Sequence, residues 1–304
     1  MAAPASPPGV TAAQLRFAQT LVFIAPAMWS VNYLAARWAP GVIAPHALAL
    51  GRWAIATLVL AFLCRHELLA KRHAIAGEAR HFLVLGALGM WVCGAFVYIG
   101  GRSTPAINIG LLYSASPVLV ALASALWLKE RLGLRQVLGV AMALGGMAHI
   151  LVKGQWQTLA TLSINPGDLW VAVAMVCWTA YSLLLRAWPS AFGPLARLTL
   201  IAAGGVVVLL PITLWEAVFW LPTQTSWTSL GLVLATALIP GVGAYGAFSL
   251  MQRALGAART SLTLYLGPLY SAVIGWLVLG ERIEPFHGLG AVLILPGIWL
   301  ATRR

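Results

Sequence analysis

Residues 117–146 read PVLVALASALWLKERLGLRQVLGVAMALGG, and residues 268–297 read PLYSAVIGWLVLGERIEPFHGLGAVLILPG. Laid over one another without gaps, at an offset of 151, they match at Pro117/Pro268, Glu130/Glu281, Arg131/Arg282, Gly139/Gly290 and Gly146/Gly297. Each stretch is an apolar segment, a charged turn and a second apolar segment. Matches at a proline, an acid, a base and two glycines do not follow from shared apolar composition, so the chain carries an internal repeat.

The repeat extends outward. At an offset of 149, Trp29, Arg37, Pro40 and Pro45 fall on Trp178, Arg186, Pro189 and Pro194, and a third block, at an offset of 152, places Gly94-Ala95-Phe96 on Gly246-Ala247-Phe248. This divides the chain into a tail (1–16), a first repeat (17–152), a linker (153–166) and a second repeat (167–302). The tail opens on Ala, Pro and Ser without an apolar period and is expected to be disordered. The first apolar segment is too long for a cleaved leader and is followed by others, so it reads as an uncleaved helix.

Of 304 residues, 61% are hydrophobic and 9% charged, against roughly 25% charged in a soluble domain. A water-soluble globule is excluded. Apolar runs near the roughly 20 residues that cross a bilayer core recur along the chain. They predict ten transmembrane helices near 17–37, 45–64, 81–101, 105–128, 134–152, 167–187, 194–215, 228–250, 260–280 and 286–302. With both termini cytoplasmic, fourteen Lys and Arg fall on that side and four on the other, Arg52 lying inside the second span. That asymmetry is the positive-inside signal, and it reads the net charge of +12 as topology, with no nucleic acid implied. Trp38, Trp156, Trp170, Trp188, Trp215, Trp220 and Trp227 lie near span ends, where aromatic belts form.

Five spans per half is an odd number, so the second half enters from the opposite side and the repeats are inverted. Inverted repeats give two near-equivalent arrangements about a central site, the geometry of alternating access. The fold class read from sequence is therefore an all-α integral membrane protein in two inverted five-helix halves, moving a small solute across a bacterial cell inner membrane.

The chain resembles the drug/metabolite transporter superfamily, specifically its EamA-type ten-helix members. The residues carrying the likeness are Trp29-Ser30-Val31-Asn32-Tyr33, Gly51-Arg52-Trp53, and the paired endings Leu128-Lys129-Glu130-Arg131-Leu132 and Leu279-Gly280-Glu281-Arg282-Ile283. The aromatic-rich first spans also resemble the YddG-type amino-acid exporters, which implies export of aromatic and other amino acids. Ile201 stands where the repeat would place a second Arg52, so an arginine role is not duplicated.

The candidate binding residues follow from helical spacing. Trp29, Asn32 and Tyr33 share one helix face, and their repeat partners Trp178, Tyr181 and Ser182 share another; each face lines a cavity or packs between helices. Tyr113 and Ser116 with Pro117, and Tyr265 with Pro268, lie on the fourth and ninth spans, where each proline removes a backbone donor and marks a hinge or a tolerated kink. Trp91, Tyr98 and Tyr245 are further candidates. Arg52 is an intramembrane charge, either receiving a substrate carboxylate or snorkelling. The seven acids all map to loops or span ends, which favours facilitated transport, with His149 the remaining route to proton coupling.

Cys64, Cys93 and Cys177 have no metal or disulfide spacing, and no cofactor or metal is expected. Gly241-Val242-Gly243-Ala244-Tyr245-Gly246 spells GxGxxG, but a dinucleotide site needs a preceding strand and a following acid. No HExxH, GxSxG or Walker A pattern is present, so an enzyme or ATP-driven pump is disfavoured. The expected partners are a small-molecule substrate, an amino acid or similar metabolite, and the lipid bilayer. A phosphorylated metabolite or nucleotide sugar would need several midplane bases, and only Arg52 is available.

Overall fold

The computed structural model describes residues 12–114, 116, 118–119, 123, 133–157, 165–222, 225–248, 250–251, 254 and 262–302. Helices run Ala12–Trp38 (α1), Pro45–Leu63 (α2), Arg72–Gly100 (α3), Ala106–Ser114 (α4), Leu134–Leu151 (α5), Pro166–Ala187 (α6), Pro194–Phe219 (α7), Trp227–Phe248 (α8), Leu262–Leu279 (α9) and Pro285–Thr302 (α10). A short helix, Arg65–Ala70, joins α2 to α3. Among the described residues there is no strand.

Among the described residues, five helices are long and apolar enough to cross a membrane: α2, α3, α6 over Pro166–Leu185, α7 and α8. Val137–Ile150, Leu269–Leu279 and Pro285–Leu300 are shorter apolar helices. Leu58, Phe62, Val207, Leu214, Val218 and Phe219 point outward, an arrangement costly in water and natural in lipid, whose tails are equally apolar. The chain is a multi-pass membrane protein.

Two expectations shift. Helix α1 begins at Ala12, inside the expected tail, because Ala12–Ala18 contains no helix breaker. Helix α3 begins at Arg72, well before the expected 81, because its first two turns are amphipathic and invisible to a search for apolar runs.

Helix starts are written into the sequence. Prolines open α2 and α7 at Pro45 and Pro194, where a missing N–H costs nothing. The remaining free amides are met by acids from the partner helix. Glu216, near the end of α7, accepts from the backbone N–H of His46 at 3.0 Å and of Ala47 at 3.3 Å. Glu67, just beyond α2, accepts from the N–H of Gly193 at 2.7 Å. The two helices therefore run antiparallel, each capped by the far end of the other, and 149 positions separate both Pro45 from Pro194 and Glu67 from Glu216.

Helices α5 and α10 pair in the same self-complementary way through glycine. A Cβ at Gly146 would stand 3.0 Å from the carbonyl oxygen of Gly290, and one at Gly297 would stand 2.8 Å from that of Gly139. With no side chain in the way, the backbones approach closely, which is how membrane helices gain contact without a hydrophobic drive.

Helices α3 and α8 each leave regular geometry once. The backbone opens into π-helical turns over Ala87–Val92 and over Ala237–Ala244, the second containing Pro240. Such wide turns displace a ladder bond and re-aim side chains, and they recur at functional sites. The GxGxxG run lies in this turn and the start of the following helical segment, so its glycines belong to a helix with no strand before it.

Candidate functional site: an aromatic cavity with one buried arginine

The wide turns and the small residues beside them leave space at the centre of the bundle. A cavity of about 100 Å³ lies there. Helix α1 contributes Pro26, Trp29, Asn32 and Tyr33; α2 contributes Arg52 and Trp53; α3 contributes Gly89, Cys93, Gly94 and Val97. Gly110 and Tyr113 of α4, with Ser116 beyond it, Trp178 of α6, Tyr245 of α8 and Gly267 of α9 complete the wall. Both sequence repeats thus supply one cavity.

Tyr245 is the hub of its aromatic side. Its ring meets Trp29 edge-on at 6.1 Å, Trp53 at 5.6 Å and Trp178 at 6.4 Å. Trp178 in turn stacks on Tyr181 at 5.1 Å, and Tyr33 lies 6.1 Å from Tyr113. Aromatic pairs at these separations contribute ~0.5–1.5 kcal/mol beyond area burial, so the rings form a pre-set wall.

The polar side is built around Arg52, 4% exposed. Its Nη1 donates to Asn32 Oδ1 at 2.6 Å and to Tyr98 Oη at 3.2 Å, while the Tyr98 hydroxyl donates to the same Asn32 oxygen at 2.7 Å. The guanidinium carbon lies 4.6 Å from the centroid of the Trp53 ring. Arginine stays charged at any relevant pH, and among the described residues no carboxylate pairs with it. The charge is held by neutral oxygens and an indole face, not carried to the interface as snorkelling would require.

The sequence candidates divide. Trp29, Asn32, Tyr33, Arg52, Tyr113, Ser116, Trp178 and Tyr245 line the cavity. Four others do not. Tyr98 is fully buried behind it, holding Arg52 and Asn32. Tyr181 backs Trp178, and Ser182 donates to its own helix at the Trp178 carbonyl, 2.8 Å away. Trp91 packs edge-on against Phe96. Helical spacing put these residues on the right helices, but a face wider than the cavity leaves its edges packed on neighbours. The side chains of Tyr265 and Pro268, and all of Pro117, lie outside the described residues; the backbone at 268 falls within the unbroken α9.

Trp53 and the glycines at 89, 94, 110 and 267 were missed. Trp53 was legible only as part of the Gly51-Arg52-Trp53 motif, and small residues announce space only once their neighbours are known. The span-end acids are also more deeply placed than a loop position implies. Glu216 and Asp168 are fully buried, Glu216 against His46 and Asp168 in a chain where His287 Nε2 lies 3.0 Å from Asn108 Oδ1 and Asn108 Nδ2 donates to Asp168 at 3.3 Å. His149, also buried, lies 5.9 Å from Trp156.

A bundle that is helical throughout its regular elements among the described residues, with outward apolar faces and a central cavity, suits a membrane transporter. The profile of the EamA-like transporter family matches this chain twice, over residues 16–152 and 165–303, and the chain belongs to that family. Relatives include the uncharacterized transporter YyaM of Bacillus subtilis, 28% identical with 88% of this chain and 87% of the relative covered. A probable terminal-alkyne amino-acid exporter of Streptantibioticus cattleyicolor is 27% identical over 84% of each. An S-adenosylmethionine/S-adenosylhomocysteine transporter of Chlamydia trachomatis is 23% identical, covering 87% of this chain and 83% of that one. A solved crystal structure superposes with a TM-score of 0.61 at 23% identity, covering 94% of this chain and 96% of its own, a likeness in fold.

Proposed function

We propose that this transporter carries compact amino acids, aromatic ones among them, out of the bacterial cytoplasm by alternating access between two inverted halves of five spans each, with both termini cytoplasmic. The observation that carries the reading is the cavity shared by both repeats, with an aromatic wall on one side and one fixed cation on the other. Such a site suits a carboxylate on a small apolar or ring-bearing body. Its single base suits neither a nucleotide sugar nor a phosphorylated metabolite, which would need several.

The reciprocal capping of α2 by Glu216 and α7 by Glu67 supports the inversion. Elements that are equivalent in sequence run in opposite directions and exchange the same contact. The relative named as an amino-acid exporter supports the substrate class. In this reading the halves rock about the cavity, bending at Pro117 and Pro268 and at the wide turns of α3 and α8, and transport is facilitated by the solute's own gradient.

Counterflow of labelled amino acids, aromatic and aliphatic, into proteoliposomes tests it, with and without a pH gradient. Saturable exchange unaffected by the gradient is expected. Exchange that appears only with the gradient overturns the facilitated mechanism, and no exchange with any amino acid overturns the substrate class.

A further inference from the structure

Among the described residues, two nitrogen donors of the cavity-lining side chains have no hydrogen-bond partner, and neither has the Tyr113 hydroxyl. One is Arg52 Nε and the other Trp53 Nε1, from adjacent residues 4% and 1% exposed. A buried donor left unmet costs about 1–3 kcal/mol, so two in one cavity mark a place where an acceptor belongs. Both residues line that cavity.

The pair is also rigid. Asn32 and Tyr98 hold one end of the guanidinium through Nη1, and the indole of Trp53 lies against it. The Nε edge is left free while the group cannot rotate away. Beside it, Gly94 lacks a side chain; a Cβ there would stand 3.5 Å from Trp53 Nε1, shielding the donor that the glycine leaves open.

We propose that Arg52 Nε–H and Trp53 Nε1–H together form a carboxylate subsite, and that the transported solutes are defined by a carboxylate, with an amino group dispensable. The inference rests on the cavity being the substrate site. The ligand must bring acceptors and negative charge, since the site offers donors and one unneutralised cation. No Asp or Glu lines the cavity among the described residues, so an ammonium finds aromatic faces and neutral hydroxyl oxygens there and no opposite charge. A cationic solute without a carboxylate meets Arg52 with like charge.

The test measures binding of L-phenylalanine, 3-phenylpropionate and 2-phenylethylamine to the purified transporter, and the same three as competitors of counterflow. The expected order places phenylpropionate within about threefold of phenylalanine, and the amine weaker by at least about tenfold, the scale of a charged hydrogen bond. Trp53→Phe keeps an aromatic face, though a smaller one, and removes the N–H; it is expected to weaken both acids about fivefold or more while leaving the amine unchanged. Gly94→Ala is expected to act in the same direction. Equal binding of acid and amine, or acids untouched by Trp53→Phe, overturns the subsite even if amino acids exchange. Acid-selective binding without counterflow supports the subsite and overturns the transport reading instead.

Discussion

Arg37, at the end of α1, and Glu281, in the turn before α10, form an ion pair with Nε 3.2 Å from Oε1. The same carboxylate accepts from the backbone N–H groups of Ala106 at 2.9 Å and Ile107 at 3.3 Å, and Arg37 Nη1 donates to the Gly101 carbonyl at 2.8 Å. One acid thus ties the end of α1, the end of α3 and the start of α4 to the second repeat. On the proposed alternating-access reading, opening at this end breaks that tie.

Glu281→Ala is therefore predicted to loosen this end. The half-exposed Arg37 limits the loss of the ion pair, but the two amides of α4 lose their acceptor, which costs about 1–3 kcal/mol. A lower melting temperature in detergent is expected, together with faster labelling of a cysteine introduced at Asn108. Unchanged melting and labelling would remove the tie from the account.

The α5–α10 seam predicts a sharp contrast between neighbouring glycines. Gly146→Val is expected to separate the helices, because its Cβ meets Leu293 at 2.9 Å and the Gly290 carbonyl at 3.0 Å, with an overpacking cost of about 1–3 kcal/mol. Gly145→Ala, with nothing within 4 Å of its Cβ, is expected to be neutral. The comparison is read as monodisperse yield after size exclusion in one detergent.

Tyr98 acts through Arg52 and touches no cavity surface, which makes it a positioning residue. Tyr98→Phe removes one partner of Arg52 Nη1 and one donor to Asn32, while the ring still fills its place. The prediction is a half-saturation constant for exchange raised about three- to tenfold with little change in maximal rate. A fall in rate at unchanged half-saturation would mean that Tyr98 serves the moving step.

Much of the fold was legible because membrane helices announce themselves through length and apolarity. Pro45 and Pro194 mark helix starts that the structure keeps at the same residues. Glu67 and Glu216 fall on each other at the offset that aligns Trp29 with Trp178, so their shared capping role was visible in principle and hidden only by being sought among loops. The site was half legible. Spacing selects a helix face, but whether a residue such as Tyr181 or Ser182 reaches the cavity depends on neighbours that spacing does not specify. The wide turns of α3 and α8 carry no residue signature beyond glycine and Pro240, and Trp53 looked like any buried indole until its unpaired N–H appeared beside Arg52.

On the proposed reading, solute is held during transport in the aromatic cavity between the repeats. Counterflow of labelled phenylalanine into proteoliposomes, comparing the unmodified transporter with Trp29→Ala/Trp178→Ala at matched protein content, tests it most directly. Saturable exchange is expected, abolished by the double substitution while the protein remains folded in the membrane. Exchange of equal rate and affinity in the two proteins would contradict it.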